Sequence, residues 1–429
     1  MNTSILRKHL QPTTAIICAL GLLTNFFELT AATVTIPDTG LRQAVQNALG
    51  ISASEDISDE ALAALNSLDA NTLAIQSLEG LDSASNLTVL DLANNAIADI
   101  SILDNHAKLL ELNLLGNPME TLVIPGGLQS LRSLDLRFNG LTQLEFADPL
   151  TNLQSLLLDR ASLADYSFLS DLPRLEELQL NGNGLRDVSF LQGLRQLRHL
   201  DLRANGLTSL AFPEGLTSLE TLLLTDNQLT EVTLPSGMSN LKMLDITGHP
   251  ASGHNHLQTL SLPNDLHQLE ELILSGNELA ELSFPQGLTK LTRLDLSSNR
   301  LRQLTLPKNS QQITEIDLSR NEITHLTVPP GYTHLEVLDL SVNPVETLAL
   351  PVTLDVDSLD LRGTIRGEII FYAPLSFSVQ GGQLELKWAE GILQRKSSVE
   401  DPWEDLNSAS SPHLVDTTQP SGFFRVIVP

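Results

Sequence analysis

From residue 87 onward the chain repeats one pattern of apolar and polar positions, Leu-x-x-Leu-x-Leu-x-x-Asn-x-Leu. Copies begin at Leu87, Leu109, Leu131, Leu153, Leu175, Leu197, Leu219, Leu241, Leu269, Leu291, Ile313 and Leu335. The spacing is 22 residues except after Leu241, where six extra residues within His249 to His256 stretch one unit to 28. Degenerate units at Leu65 and Val356 flank the array. In each copy two inward leucines, such as Leu134 and Leu136, alternate with an outward residue, here Asp135, which predicts a short half-buried strand. No single unit of this size closes a core. Stacked in parallel, such strands bury one continuous leucine spine, and some fourteen of them predict an arc of roughly 65 Å.

An asparagine ends each strand: Asn95, Asn117, Asn139, Asn183, Asn205, Asn227, Asn277, Asn299, Asn321 and Asn343. Its amide turns the chain and meets backbone groups that the turn leaves unpaired. Ala161 and His249 stand in its place in two units, where local distortion is expected. The return side carries a second apolar column: Ile124, Phe146, Phe168, Phe190, Phe212, Leu234, Leu262, Phe284, Leu306, Val328 and Leu350. Most of these are followed by proline, which favours short extended segments over helices and hence modest curvature.

This repeat resembles the leucine-rich repeat family. Three units without that proline, at Ile97 to Leu103, Tyr166 to Leu169 and Val188 to Leu191, are similar to the internalin-type repeat of secreted bacterial proteins. The resemblance implies an α/β leucine-rich repeat solenoid over residues 65–368, mostly β with short convex segments. Residues 33–64 are expected to form a helical cap on the exposed end of the core. There Asp38 or Thr39 starts a helix with Leu41, Val45 and Leu49 on one face, and Ser58 starts a second. Residues 369–429 change character, with alternating runs at Leu375 to Val379, Leu384 to Trp388 and Phe424 to Val428. They are expected to form a small all-β module resembling an immunoglobulin-like sandwich, or simply the closing cap.

Residues 1–32 read as a secretory signal, with Arg7 and Lys8 before an apolar stretch from Ala15 to Phe27 and small residues at Thr30-Ala31-Ala32; an uncleaved anchor is the alternative. That stretch is too short to span a bilayer, and no other apolar run reaches membrane length. The only cysteine, Cys18, falls inside it, so the exported chain is expected to have neither thiol nor disulfide. Composition narrows the function. The 429 residues include 90 leucines, and 52 acidic against 25 basic side chains give a net charge of −27, which disfavours a nucleic-acid partner. It also predicts a soluble, self-repelling monomer.

Outward strand positions are free of packing duty, so chemistry is sought there. Arg132, Arg137, Phe138, Arg160, Arg198, His199 and Arg203 interrupt the acidic field beside Asp135, Asp159 and Asp201. Guanidinium groups around an exposed phenylalanine form a candidate hot spot for a protein or an acidic glycan; a solvated face of internal ion pairs is the bland alternative. Asp295, Asp317, Asp339 and Asp360 stand on consecutive strands, where like charges need neutralising by Ca²⁺ or relief by Ser297, Ser319 and Ser341. Three histidines at His249, His254 and His256, with His267 beyond, lack a familiar zinc spacing, and a surface loop is preferred. There is no Gly-x-Ser-x-Gly, Walker loop or His-Glu-x-x-His, so no enzyme and no cofactor are expected. These readings converge on an exported or cell-surface recognition protein whose concave face binds a protein or surface polysaccharide. The alternative is a structural surface or matrix component organised by divalent cations.

Overall fold

The computed structural model describes residues 32–429, apart from 250–253, 365–367, 373–375, 381–382, 388–391, 397–401, 403, 407–410, 412, 416–422 and 428–429. The signal segment and Cys18 lie outside the described residues. Fourteen parallel strands form one sheet, running in chain order from Ser67–Asp69 to Asp355–Asp360. The strands stay in step, each leucine opposite the next: Leu134 pairs with Leu156, Leu156 with Leu178 and Leu178 with Leu200. Both degenerate units supply a strand, so the array extends one rung beyond the regular copies at each end. Leu131, Leu134, Leu136 and Leu141 are all at most 1% exposed. Each such side chain contributes about 1.5–3 kcal/mol relative to exposure, so the spine is continuous because every rung buries its own leucines on its neighbours.

The asparagines tie these rungs together. Asn205 Nδ2 donates to the carbonyls of Leu180 and Leu202, both at 2.9 Å, while its Oδ1 accepts the amides of Asn183 at 2.9 Å and Leu185 at 3.3 Å. One side chain thus links two units by groups that water cannot reach. In the unit of His249 the strand keeps its register with the next rung. Asn255 takes the asparagine's place there, its Nδ2 on Leu224 O at 2.9 Å and Thr247 O at 3.1 Å, and its Oδ1 accepting from Leu229 N at 3.1 Å. Gly248 and Asn255, on either side of the six inserted residues, lie against each other. A Cβ on Gly248 would sit 2.3 Å from Gly276 O and 2.5 Å from Asn255 O, so only glycine allows the backbones to meet there. At Ala161 the sheet keeps its register, but the ladder breaks: Asn183 Oδ1 is left without a hydrogen-bond partner among the described residues.

The return side follows the proline pattern. Where proline is present, extended segments pair in parallel, as in Glu231–Thr233 with Thr259–Ser261 and His325–Thr327 with Thr347–Pro351. The residue before proline is steered to the extended region. In the three internalin-like units that lack it, 3-10 turns form at Ser101–Asn105, Ser167–Asp171 and Ser189–Leu191, whereas Gln143–Phe146, followed by Ala147, stays extended. Each turn starts two residues after an aspartate that accepts its first amide, Asp99, Asp165 or Asp187.

At the start of the array, helix Thr39–Leu49 is capped by Asp38, which accepts from Leu41 N at 3.0 Å. The other carboxylate oxygen accepts from Gln76 N at 2.9 Å, which docks the helix onto the first rungs. Ser58 starts the short helix Asp59–Ala63. At the far end, strand Glu368–Tyr372 pairs in parallel with Thr347–Pro351 and continues the return-side ladder. The boundary expected at 368 therefore falls inside the array's own pairing. Beyond it lie two three-stranded antiparallel sheets, one of Ser376–Gln380, Gln383–Lys387 and His413–Val415, the other of Glu404–Asp405, Ile392–Lys396 and Phe423–Ile427.

Candidate recognition surface

The outer face of the fourteen-stranded sheet is built from the residues that flank each buried leucine. Most aspartates of its central column do structural work first. Asp245, Asp295, Asp317 and Asp339 each accept the amide two residues on, at 2.8–3.0 Å, from Thr247, Ser297, Ser319 and Ser341. That bond closes the turn after the strand. The like-charge cost remains visible at Asp317, whose carboxyl is raised by burial first, partly offset by Ser319, and raised further by Asp295 and Asp339.

In three units the residue two positions on is arginine, and the same aspartate also holds its guanidinium. Arg137 Nε lies 3.0 Å from Asp135 Oδ1 and Nη2 2.7 Å from Oδ2. Arg203 repeats this on Asp201 at 3.0 and 2.6 Å, and Arg362 on Asp360 at 3.0 and 2.5 Å. Bidentate pairing fixes the fork direction and leaves the remaining N–H groups for a partner. Asp135 and Asp201 are 9% and 5% exposed. The third pair was not singled out from the sequence, although the string Asp-Leu-Arg at 135–137, 201–203 and 360–362 marks all three.

Between the first two pairs stands Asp159. Its own strand ends in Leu157, so it does not close a turn in its rung; its Oδ1 accepts from Asn181 N of the next rung at 2.9 Å. Burial raises its carboxyl, Asn181 opposes that, Asp201 adds to it, and Arg137 and Arg203 act against it from either side. At the turn beside this cluster Phe138 is 53% exposed, with Arg160 stacked 5.3 Å from its ring centroid. Both residues have positive φ, 59° and 57°. An exposed phenylalanine in the left-handed region is favoured by neither packing nor backbone.

The ten residues expected to form one site divide. Asp135, Arg137, Phe138, Asp159, Arg160, Asp201 and Arg203 gather on the turn edge. Arg132, Arg198 and His199 lie on the opposite edge, where the strands begin. There Arg198 sits between Glu176 at 3.6 Å and Glu220 at 2.9 Å, with Lys242 on Glu220 at 2.6 Å, an ion-pair ladder of solvated groups. His199 Nδ1 is 3.2 Å from Thr221 Oγ1. The bland reading of mixed charges describes this edge.

Among the described residues the metal-ligand type cluster is not the aspartate column but His334 with Asp355 and Asp357, all exposed, the ring nitrogens 3.9 and 3.7 Å from the two carboxylates. Strand register, not chain spacing, brings them together. The insertion histidines diverge: His254 faces Asp226 at 3.2 Å, and His256 stands 3.7 Å from Glu278, too far for a hydrogen bond.

Residues 173–217 and 267–308 match a profile of leucine-rich repeats, and residues 83–102 and 127–143 match a second leucine-rich repeat profile. The array is a leucine-rich repeat solenoid. Solved structures agree in fold. An internalin from Listeria monocytogenes is 22% identical over 70% of this chain and 94% of its own, with a TM-score of 0.50. A leucine-rich repeat protein of Leptospira interrogans is 25% identical over 72% and 97%, with a TM-score of 0.51. The functional domain of InlJ from Listeria monocytogenes, described as including a cysteine ladder, is 24% identical over 78% and 73%, with a TM-score of 0.50. In this solenoid the repeated ladder is asparagine, and the chain's one cysteine, Cys18, precedes the array. No protein of curated function matches the sequence.

Proposed function

We propose that the solenoid is the recognition part of an exported, non-enzymatic protein that binds a protein or surface polymer on its concave face, at the turn edge of units three to six. The observation that carries this reading is the pair of clamped arginines. Arg137 and Arg203 are held by nearly buried aspartates, face the half-buried Asp159 between them, and adjoin the exposed Phe138–Arg160 stack. Fixed guanidinium forks and a prepaid aromatic platform lose little freedom on binding, which is the usual makeup of a hot spot. Arg198, His199 and Arg132 form the rim in this reading. The apolar stretch after Arg7 and Lys8 supports export, and no described helix is long and apolar enough to cross a membrane. The two small sheets after residue 375 support a β-sandwich-like closing module.

Arg137 is a poor residue to mutate alone, because Asp135 would lose its partner. Phe138→Ala with Arg160→Ala tests the surface instead, since both side chains are exposed. The double variant should lose the partner that the wild-type chain captures from its native surroundings, with the melting temperature moved by no more than about 2 °C. Retained capture at unchanged affinity would rule the turn edge out.

A further inference from the structure

The return side holds a feature that the concave reading does not use. Where the 3-10 turns replace proline-led segments, four recesses of about 410, 490, 600 and 660 Å³ follow one another along residues 76–192. The first two share Asp99 and Ser101, and the last two share Leu163, Ala164, Asp165 and Ser167. Shared walls join the recesses in two pairs, and the second pair, lined by residues 142–192, makes a groove that suits an extended chain better than a compact ligand.

Its chemistry repeats with the units. Asp99 with Ser101, Asp165 with Ser167 and Asp187 with Ser189 each present a carboxylate bonded to a serine hydroxyl, at 3.1, 2.8 and 2.6 Å. Aromatic rings line the intervals, Phe146 and Phe168 with centroids 5.3 Å apart and Tyr166 and Phe190 stacked at 4.9 Å. The groove-lining charges are carboxylates with one guanidinium, Arg186, so an anionic polymer is repelled.

A second observation points to an occupant. Tyr166 and Asn183 both line the largest recess, are 7% and 8% exposed, and leave Tyr166 Oη and Asn183 Oδ1 without a hydrogen-bond partner among the described residues. A buried polar atom left unpaired costs about 1–3 kcal/mol. Packing does not require the phenol, because the equivalent positions in the other two proline-free units are Ile100 and Val188. Burial pushes the phenol up to about 12, so it stays a neutral donor. One donor and one acceptor at a single recess match a sugar hydroxyl, which accepts from one and donates to the other.

We propose that this return-side groove binds an uncharged polysaccharide, its sugar rings against the aromatic walls, its hydroxyls on the Asp/Ser pairs, and one hydroxyl bridging Tyr166 Oη and Asn183 Oδ1. The test is isothermal titration of the full chain with cellohexaose, chitohexaose and mannohexaose, with hexagalacturonate and hexalysine as anionic and peptide probes. At least one neutral hexasaccharide should bind saturably. Ala164→Trp places an indole from an exposed position into the wall shared by two recesses, and should weaken that binding more than tenfold. Tyr166→Phe should weaken it several-fold while leaving the melting temperature unchanged or higher, an outcome that a merely structural hydroxyl would not give. Phe138→Ala with Arg160→Ala should leave it intact. The proposal is overturned if no neutral hexasaccharide binds, if hexagalacturonate or hexalysine binds as tightly, or if both groove variants keep wild-type affinity.

Discussion

Asn255 accepts the amide of Leu229 at 3.1 Å across 26 residues, in the role that most regular units give to an asparagine 20 residues ahead of the donor. The insertion changed the count along the chain and left the hydrogen bond where the rung needs it. The backbone accommodates this because Gly248, Asn255 and Gly276 meet at one point.

Two variants follow from that geometry. Asn255→Ala removes a side chain that bonds Leu224 O, Thr247 O and Leu229 N in a fully buried position. It should cost about 2–5 kcal/mol, seen as a fall in the denaturant midpoint. Deleting residues 249–254 joins Gly248 to Asn255, restores the 22-residue spacing, and should leave a folded chain with nearly the same midpoint. A deletion variant that fails to fold would show the loop to be part of the rung.

At Ala161 the reverse change is expected to stabilise. An asparagine there would face the amides of Leu141 and Asn139, which stand 20 and 22 residues earlier, as Asn205 faces those of Leu185 and Asn183. Ala161→Asn should raise the melting temperature by about 2–4 °C, corresponding to roughly 1 kcal/mol. A lower value would mean that this rung has closed around the smaller side chain.

Acid should weaken the fold through His106. Its ring is fully buried, neither nitrogen has a hydrogen-bond partner among the described residues, and burial lowers its pKa below the ordinary 6.5, against smaller raising contributions from nearby carbonyls and Asp82. The unfolded chain then binds the proton more readily than the folded one. Stability from this group is complete above about 6.5 and is lost as pH falls below it. Melting temperatures of wild type and His106→Leu, measured from pH 7.5 to 5, should diverge at the acid end, with the variant the flatter. Parallel curves would remove His106 as the cause.

The three Asp-Leu-Arg clamps should separate by burial. Arg203→Ala leaves Asp201, 5% exposed, without its cation, and should cost about 1–3 kcal/mol, the arginine itself being partly solvated. Arg362→Ala touches a pair in which the arginine side chain is 88% exposed, and should leave the unfolding midpoint unmoved. Equal effects at the two sites would mean that burial of the aspartate does not set the cost.

How much of this was legible beforehand depends on whether a residue answers to its own rung or to another. Leu134 and Leu136 face inward because strand alternation is local, so the spine and its fourteen strands follow from spacing. Three of the proline-free units became 3-10 turns for an equally local reason, an aspartate capping the amide two residues on. Asp135, Arg137 and Arg203 were readable as candidates since they point out of the sheet. Arg362 carries the same Asp-Leu-Arg string, and His334 meets Asp355 and Asp357 only through strand register.

The sequence by itself determined the repeat, the direction each side chain takes from its strand, and the acidic character of the surface, because each is set by period and composition. Only the tertiary structure decided which asparagine completes the widened unit, which charges stand within reach of Asp159, and that Tyr166 Oη and Asn183 Oδ1 share one recess. Those relations join residues from different rungs, and stacking, not chain order, sets the distances between them.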